Sequence, residues 1–328
     1  MSAEELTLQE FDQSFRSTHS LIVGVDEAGR GPLAGPVTAG AVIFDKDLDF
    51  HLIRDSKKLS EKQREEAYEW IVAHAKAWSV HCLGVQAINK TNILQAAMDA
   101  MVKAVEKLNL PQAYILIDGN RVPEELKAKG EAIVSGDSHS FSIAAASILA
   151  KVTRDRIMRR WAEIYPEYKF EKHKGYGTGD HIRAIYKHLP TPIHRRYFAP
   201  VKSFQFPYPL STQALGKWGE NWAIYYLILK GYHFIERNYH GGNKGEIDVV
   251  MKKGELFVMV EVKTSITEDE FQAAERVTNE KIEKMTEATD HYFYKLNMDE
   301  YDVRFDAVTV TGTDWHTPHI EHYEDIIF

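Results

Sequence analysis

The chain has 328 residues, with 40 Lys and Arg against 48 Asp and Glu, for a formal net charge of −8. That length exceeds one ordinary domain of ~100–200 residues, so two domains are expected, and 44% hydrophobic with 27% charged residues excludes disordered and fibrous classes. The apolar runs fall well short of the ~20 residues of a membrane span, the lone Cys82 excludes an intrachain disulfide and argues against a cysteine-based zinc site, and an acidic, polar start unlike a secretory signal points to the cytosol.

In chain order, LIVGVDEAG (21–29) reads as an apolar strand ending in a glycine turn, and PVTAGAVIF (36–44) as a second strand. Helical periodicity runs over 61–78, followed by a strand at 79–85 and an amphipathic helix at 92–108. AYILIDGN (113–120) reads as a buried strand ending in Asp-Gly, and EAIVSGD (131–137) as a short strand leading into a helical stretch at 138–165. Alternating strands and helices imply a layered α/β domain. Residues 203–213, SFQFPYPLSTQ, carry two prolines and no charge and read as a linker between domains at 1–202 and 214–328. Beyond it come a helix at 214–232, strands in HFIERNY, GEIDVVMKK and ELFVMVEVK, a polar helix at 269–295 read as a solvated amphipathic cover, and a last strand at 303–310.

Charge is unevenly divided. Residues 1–208 hold 28 basic against 26 acidic residues, a net of +2, and residues 209–328 hold 12 against 22, a net of −10. Within the first part, 151–202 holds 13 basic and 5 acidic residues. A basic segment of that kind suits a phosphate backbone, or is simply a solvated face.

Asp26 and Glu27 end a strongly apolar strand, where adjacent carboxylates repel and are poorly solvated. Regular alternation would send them to opposite faces; a strand end entering the AGRG turn would let both be steered to one site. Asp118 follows the run YILI, and Asp137 follows a strand and a glycine at a helix start. Ligands collect outside strand ends in open α/β sheets. Converging acids call for divalent cations, and hard oxygen donors suit Mg²⁺ or Mn²⁺. A pair of such ions about 4 Å apart serves phosphodiester hydrolysis. The alternative for each acid is a turn or cap residue, which for Asp137 alone would be preferred. Gly29, Arg30 and Gly31 would let a backbone approach a ligand closely with a charge alongside.

DEAGRGPLAGPVTAGAV (26–42), DSKKLSEKQRE (55–65), ILIDGN (115–120), GDSHSFSIAAASILAKVTRD (136–155) and HKGYGTGDH (173–181) together resemble bacterial ribonuclease HII over about 20–200, in order. The resemblance implies an RNase H-like fold and a two-metal endonuclease, using Mn²⁺ or Mg²⁺, that cuts the RNA strand of RNA–DNA hybrids. It also implies nicking of duplex DNA 5′ of an embedded ribonucleotide, as in ribonucleotide excision. By position, Asp26, Glu27, Asp118 and Asp137 match the metal-binding catalytic acids. Gly29, Arg30 and Gly31 match a motif that senses the ribose 2′-OH, the group that separates RNA from DNA. Tyr176 matches a tyrosine that stacks on the adjoining sugar. Lys57 and Lys58 match DSKKLS; phosphate contact and a solvated helix entry are equal readings for them. Asp155 is expected to pair with Arg154 or Arg159, outside the catalytic set.

In the second part, Glu220 shares a helical stripe with Ala223, Ile224 and Leu227, Asp248 follows Gly-Glu-Ile, and Glu261 and Lys263 lie two apart on one strand face. GKWGENWAIYYLILKGY, ERNYHGGNKGEID, FVMVEVKT and RFDAVTV resemble the YraN-type family, over about 214–312, within the PD-(D/E)xK nuclease-like group. That resemblance implies a restriction-endonuclease-like α/β fold and a metal-dependent DNA nuclease site at Glu220, Asp248, Glu261 and Lys263. A net of −10 is hostile to non-specific DNA binding, so a non-catalytic interaction module stands beside it. A nucleic-acid scaffold without chemistry is the alternative for the whole chain. RNA–DNA hybrid and ribonucleotide-containing duplex DNA are the expected partners; no membrane is.

Overall fold

The computed structural model describes residues 6–45, 48–205, 210–266 and 278–326. The chain forms two compact units, Met1–Ile182 with Ile193–Lys202, and Arg183–Pro192 with Ser203–Phe328. Part of the segment read as a linker, 206–209, lies outside the described residues. The helices are α1 (Leu8–Arg16), α2 (Glu61–His74), α3 (Val85–Lys90), α4 (Ile93–Leu108), α5 (Phe141–Ile164), α6 (Phe170–His173), α7 (Gly179–His188), α8 (Thr212–Leu229) and α9 (Asn279–Lys295). Among the described residues no helix is long and apolar enough to cross a membrane.

In the first unit, β1 (Ile22–Ala28), β2 (Val37–Ile43), β3 (Ala77–Leu83), β4 (Tyr114–Asp118) and β5 (Gly130–Ile133) form a sheet in the order β3-β2-β1-β4-β5. β1 pairs antiparallel with β2 and parallel with β4. On one face Val23 and Val25 of β1, Ile115 and Ile117 of β4 and Ala100, Met101 and Ala104 of α4 share a core. On the other, Val42 packs with α5 residues Ala144, Ala145, Ile148 and Leu149 and α2 residues Ala67 and Ile71. α5 lies close because small residues face it: a Cβ on Gly24 of β1 would meet the Ser142 carbonyl carbon at 2.1 Å, and one on Gly40 of β2 would meet the Ala146 oxygen at 2.4 Å. Its N-terminus is capped twice. Ser140 Oγ accepts from Ile143 N–H at 3.1 Å, and buried Asp12 of α1 accepts from Ser140 Oγ, Ser142 Oγ and Ser142 N–H at 2.6, 2.6 and 2.9 Å.

Several element ends in this unit differ from the sequence expectation. The helix over 61–78 stops at His74, and β3 begins at Ala77, because Lys76 N–H donates to the Ile43 carbonyl and draws the chain onto β2. The strand over 131–137 stops at Ile133, since Ser135 is left-handed at φ 54° and a 3-10 turn follows at Gly136–Ser138. The helix over 138–165 therefore starts at Phe141.

The second unit has β6 (His233–His240), β7 (Glu246–Lys253), β8 (Leu256–Ser265), β9 (Val303–Thr311) and β10 (His319–Tyr323) in the order β10-β9-β8-β7-β6. Only β8 and β9 are parallel. The strand β10 escapes sequence reading because its short HIEHY run carries no clean alternation. α9 is the amphipathic cover expected, with Glu283, Glu287 and Asp290 exposed on its outer side. Met285, Ala288, Tyr292 and Phe293 of α9 are buried against Ile247, Val250 and Met259 of β7 and β8, so α9 closes a core; the portion of that reading on 269–277 lies outside the described residues.

Candidate functional site

Strand β1 continues through both of its acids: Asp26 faces Gly40 and Glu27 faces Ala39 in the ladder with β2. Ladder pairing rather than the turn orients them: they keep the alternation, one on each face, and still lie close enough for the Glu27 charge to act on Asp26. Asp26 stands on the α5 side with Gly24, hydrogen-bonded to Ser147, and Glu27 opens on the other side with α4 residues Leu94, Ala97 and Met98. Asp118, the last residue of β4, lines that same 230 Å³ cleft with Glu27, Arg30 and Gly119. Its Oδ1 accepts the Gly136 N–H at 2.6 Å, which ties β4 to the turn carrying Asp137. Asp137 is not the helix cap; Ser140 is.

The acids feel one another. Burial, then the charges of Glu27 and Asp118, push the Asp26 carboxyl well above the usual carboxylate range. Burial raises Glu27 despite the opposing Arg30, whose Nη1 lies 3.2 Å from its Oε1. Burial and the Asp137 charge raise Asp118. Lys57 Nζ lies 3.3 Å from Asp137 Oδ2, and that carboxylate raises its pKa against partial desolvation. Lys58 is not brought to the acids; it sits 3.9 Å from Asp55. Among the described residues no three His, Cys, Asp or Glu side chains are gathered into a ready-made metal cage. The four acids form a mutually repelling set, Asp26 and Asp137 buried and Glu27 and Asp118 lining the cleft, with Arg30 and Lys57 as partial counter-charges.

Gly29 is left-handed at φ +100°, and a Cβ there would lie 2.2 Å from Arg154 Nε, so glycine is required on both counts. Gly31 is not constrained in that way: its Cβ would meet only the Tyr176 Cε1, at 3.6 Å. That distance also places the half-exposed Tyr176 ring beside the glycine-rich turn. A histidine cluster holds the Tyr176 segment. His181 Nδ1 lies 2.9 Å from the Tyr176 carbonyl and must donate to it. Its Nε2, 3.0 Å from His194 Nε2, then accepts from that ring, which makes His181 the neutral Nδ1-protonated tautomer. Burial lowers His181 to about 4, in keeping with that assignment.

The sequence reading missed Ser147, whose hydroxyl is 3.0 Å from that of Ser56 and links Asp26 to the DSKKLS segment. It also misassigned Asp155. Arg154 donates instead to main-chain carbonyls, and Asp155 accepts from Lys151 at 2.7 Å.

Residues 23–201 match the family model described as Ribonuclease HII. The chain belongs to the ribonuclease HII family. It is 53% identical to the Ribonuclease HII of Idiomarina loihiensis over 182 residues, 56% of this chain and 97% of that protein. It is 49% identical to that of Neisseria meningitidis over 197 residues, 60% of this chain and 99% of the relative. The ribonuclease H2 structure from Pyrococcus horikoshii OT3 aligns at 25% identity with a TM-score of 0.49, covering 56% of this chain and 96% of that one. As a ribonuclease HII, the chain is a hydrolase of RNA in RNA–DNA hybrids. Residues 219–310 match Uncharacterised protein family UPF0102, so a ribonuclease HII domain is followed in one chain by a UPF0102 domain.

In that second domain, Glu220, Asp248, Glu261 and Lys263 are brought together. Asp248 Oδ2 accepts the Val262 N–H at 2.8 Å, and Lys263 Nζ is ion-paired with buried Glu261. Burial, the Glu261 charge and, less, Glu220 push Asp248 up to about 7. Two cations unseen in the sequence reading enter the group. Arg237 of β6 pairs with Glu220, and Lys281 of α9 lies 3.0 Å from Glu261 Oε2.

Proposed function

We propose that the first domain is a metal-dependent endonuclease that selects a ribonucleotide within a duplex and cuts the RNA strand of hybrids, or nicks DNA 5′ of one embedded ribonucleotide. The observation that carries this reading is the mutually raised acid set, Asp26, Glu27 and Asp118 with Asp137 beside it, next to Tyr176 and the glycine-rich turn. The donor set fits hard divalent cations: all four groups supply oxygen, and their repulsion is what a cation relieves. Asp26, Glu27, Asp118 and Asp137 would hold Mg²⁺ or Mn²⁺. When bound, a pair of such ions supplies an activated water and stabilises the leaving oxygen. The remaining work falls to the chain. Gly29, Arg30 and Gly31 bring backbone to the 2′-OH, Tyr176 offers a face to the adjoining sugar, and Lys57 stands where it can meet a phosphate or compensate Asp137.

A DNA duplex containing one ribonucleotide, incubated with Mg²⁺ or Mn²⁺, tests the proposal; bound but uncut substrate would overturn it in favour of a scaffold. Tyr176→Ala should reduce the preference for the single-ribonucleotide duplex over a uniform hybrid by about 10-fold, the worth of one stacking contact of ~1–3 kcal/mol, while leaving the Mn²⁺ dependence unchanged. An unaltered preference removes Tyr176 from substrate selection.

For the second domain, the convergence of Asp248, Glu261 and Lys263 favours a metal-dependent DNA nuclease over an interaction module, with Lys263 next to the acids where a water or phosphate would be oriented. Assayed in an Asp118→Asn background on branched and single-stranded DNA with Mn²⁺, the full chain should retain a cleavage that Lys263→Ala abolishes. No residual cleavage, or cleavage indifferent to Lys263, returns this domain to the interaction-module reading.

A further inference from the structure

Two guanidinium groups are buried beneath the glycine-rich turn, Arg154 at 1% exposure and Arg195 at 0%. A buried cation ordinarily has a carboxylate partner; among the described residues neither of these is ion-paired. Both donate to main-chain carbonyls instead. Arg195 Nη2 reaches the carbonyls of Gly29, Gly35 and Pro36 at 2.6, 2.9 and 3.1 Å. Its Nη1 reaches Arg30 and Pro32 at 2.9 and 2.8 Å, and its Nε reaches Gly35 at 3.1 Å. Arg154 takes Pro36 and Ala34 at 2.9 and 3.0 Å and, with Nη1, the Lys174 carbonyl at 3.0 Å. It thus joins the turn at 29–36 to the segment that carries Tyr176. The Leu33 N–H, donating to the Gly175 carbonyl at 2.8 Å, is a second tie between them.

Peptide planarity gives these bonds a consequence. In a trans peptide the C=O of one residue and the N–H of the next point in opposite directions. With the Gly29 and Arg30 carbonyls held inward by Arg195, the N–H groups of Arg30 and Gly31 are turned outward, on the side where Tyr176 lies against Gly31. Those two donors are hydrogen-bond partners for a hydroxyl or phosphate oxygen.

We propose that Arg195 and Arg154 are positioning residues for ribonucleotide selection: Arg195 aims the Arg30 and Gly31 amides at the substrate sugar, and Arg154 sets the spacing between that turn and Tyr176. Neither side chain touches substrate. The proposal rests on the reading of the glycine-rich turn and Tyr176 as the 2′-OH reader. Lysine keeps the charge but supplies one point donor where arginine supplies a fork.

The experiment uses the full chain and compares a single-ribonucleotide duplex with a uniform RNA–DNA hybrid. Arg195→Lys should raise KM for the single-ribonucleotide duplex by about 10–100-fold, the range of one or two misplaced hydrogen bonds, with half-saturating Mn²⁺ unchanged. Arg154→Lys should lower the preference for that duplex by about 10-fold in the wild type and by less than about twofold on Tyr176→Ala, since one effect acts through the other. A merely structural role would cost kcat on both substrates and add fully to Tyr176→Ala; either outcome overturns the proposal. If neither variant folds, amide exchange on the wild type decides: the Arg30 and Gly31 amides should be protected by the single-ribonucleotide duplex, and no protection overturns it. A wild type with no preference for the ribonucleotide defeats the 2′-OH reading itself; a preference that the variants keep defeats only the role of the two arginines.

Discussion

Asp118→Asn should abolish cleavage, by about 10³-fold or more, while leaving the fold and duplex binding in place. The magnitude follows from losing a charged oxygen ligand whose contribution to transition-state stabilisation is several kcal/mol, at ~1.4 kcal/mol for each tenfold in rate. The fold should survive because asparagine keeps an Oδ1 that can accept the Gly136 N–H now held at 2.6 Å. Without metal, the variant should also melt no lower than the wild type. Burial and the Asp137 charge raise Asp118, and Asp118 in turn raises Asp26, so the neutral side chain removes a repulsion that opposes folding above the ordinary carboxylate pKa. Sign and window follow from those directions: a raised carboxyl costs stability as pH climbs through its folded value, and that cost shrinks in the variant. Added Mn²⁺ should raise the melting temperature of the wild type more than that of Asp118→Asn. Cleavage within tenfold of wild type would remove Asp118 from the catalytic set.

Gly24→Ala should destabilise the first domain by about 2–4 kcal/mol, at or just above the usual overpacking range. The added methyl would lie 2.1, 2.3 and 2.4 Å from the Ser142 carbonyl carbon, its oxygen and the Ile143 nitrogen. Those are backbone atoms of the first turn of α5, so no rotamer change relieves the contact. The helix must back away from β1. Ser147 on α5 would then part from Asp26, and the turn carrying Asp137 would shift with the helix start, so activity should fall along with the denaturant midpoint. A midpoint unchanged to within ~0.5 kcal/mol would show that α5 does not seat on β1 as closely as this.

The two changes separate what was legible from what was not. Asp118 stands out in the sequence because an acid at the end of YILI is anomalous by itself, and the five ordered motifs around it are specific. Gly24 does not stand out: a glycine inside an apolar strand has several meanings, and only the approach of α5 selects one. Asp26 and Glu27 were legible as residues, and only the choice between regular alternation and a steering turn was left to the fold. The run enters a turn, yet pairing with Gly40 and Ala39 keeps them on opposite faces of β1. The second domain repeats the lesson. Glu261 and Lys263 follow from period-two alternation, whereas Lys281 joins them from α9, across a stretch of sequence whose length says nothing about distance.

By itself the sequence determined the family, the order of most strands and helices, the identities of the acids and the split of a −8 charge into a near-neutral domain and an acidic one. Those properties are local: periodicity, residue type and motif spacing are written in neighbouring positions. The tertiary structure alone decided that Lys57 meets Asp137, that Tyr176 lies on Gly31, and that Arg154 and Arg195 grip the glycine-rich turn. The reason is physical. The acceptors that those arginines bind are main-chain carbonyls, which every residue carries, so no letter of the sequence marks them, and only folding brings them within hydrogen-bonding reach.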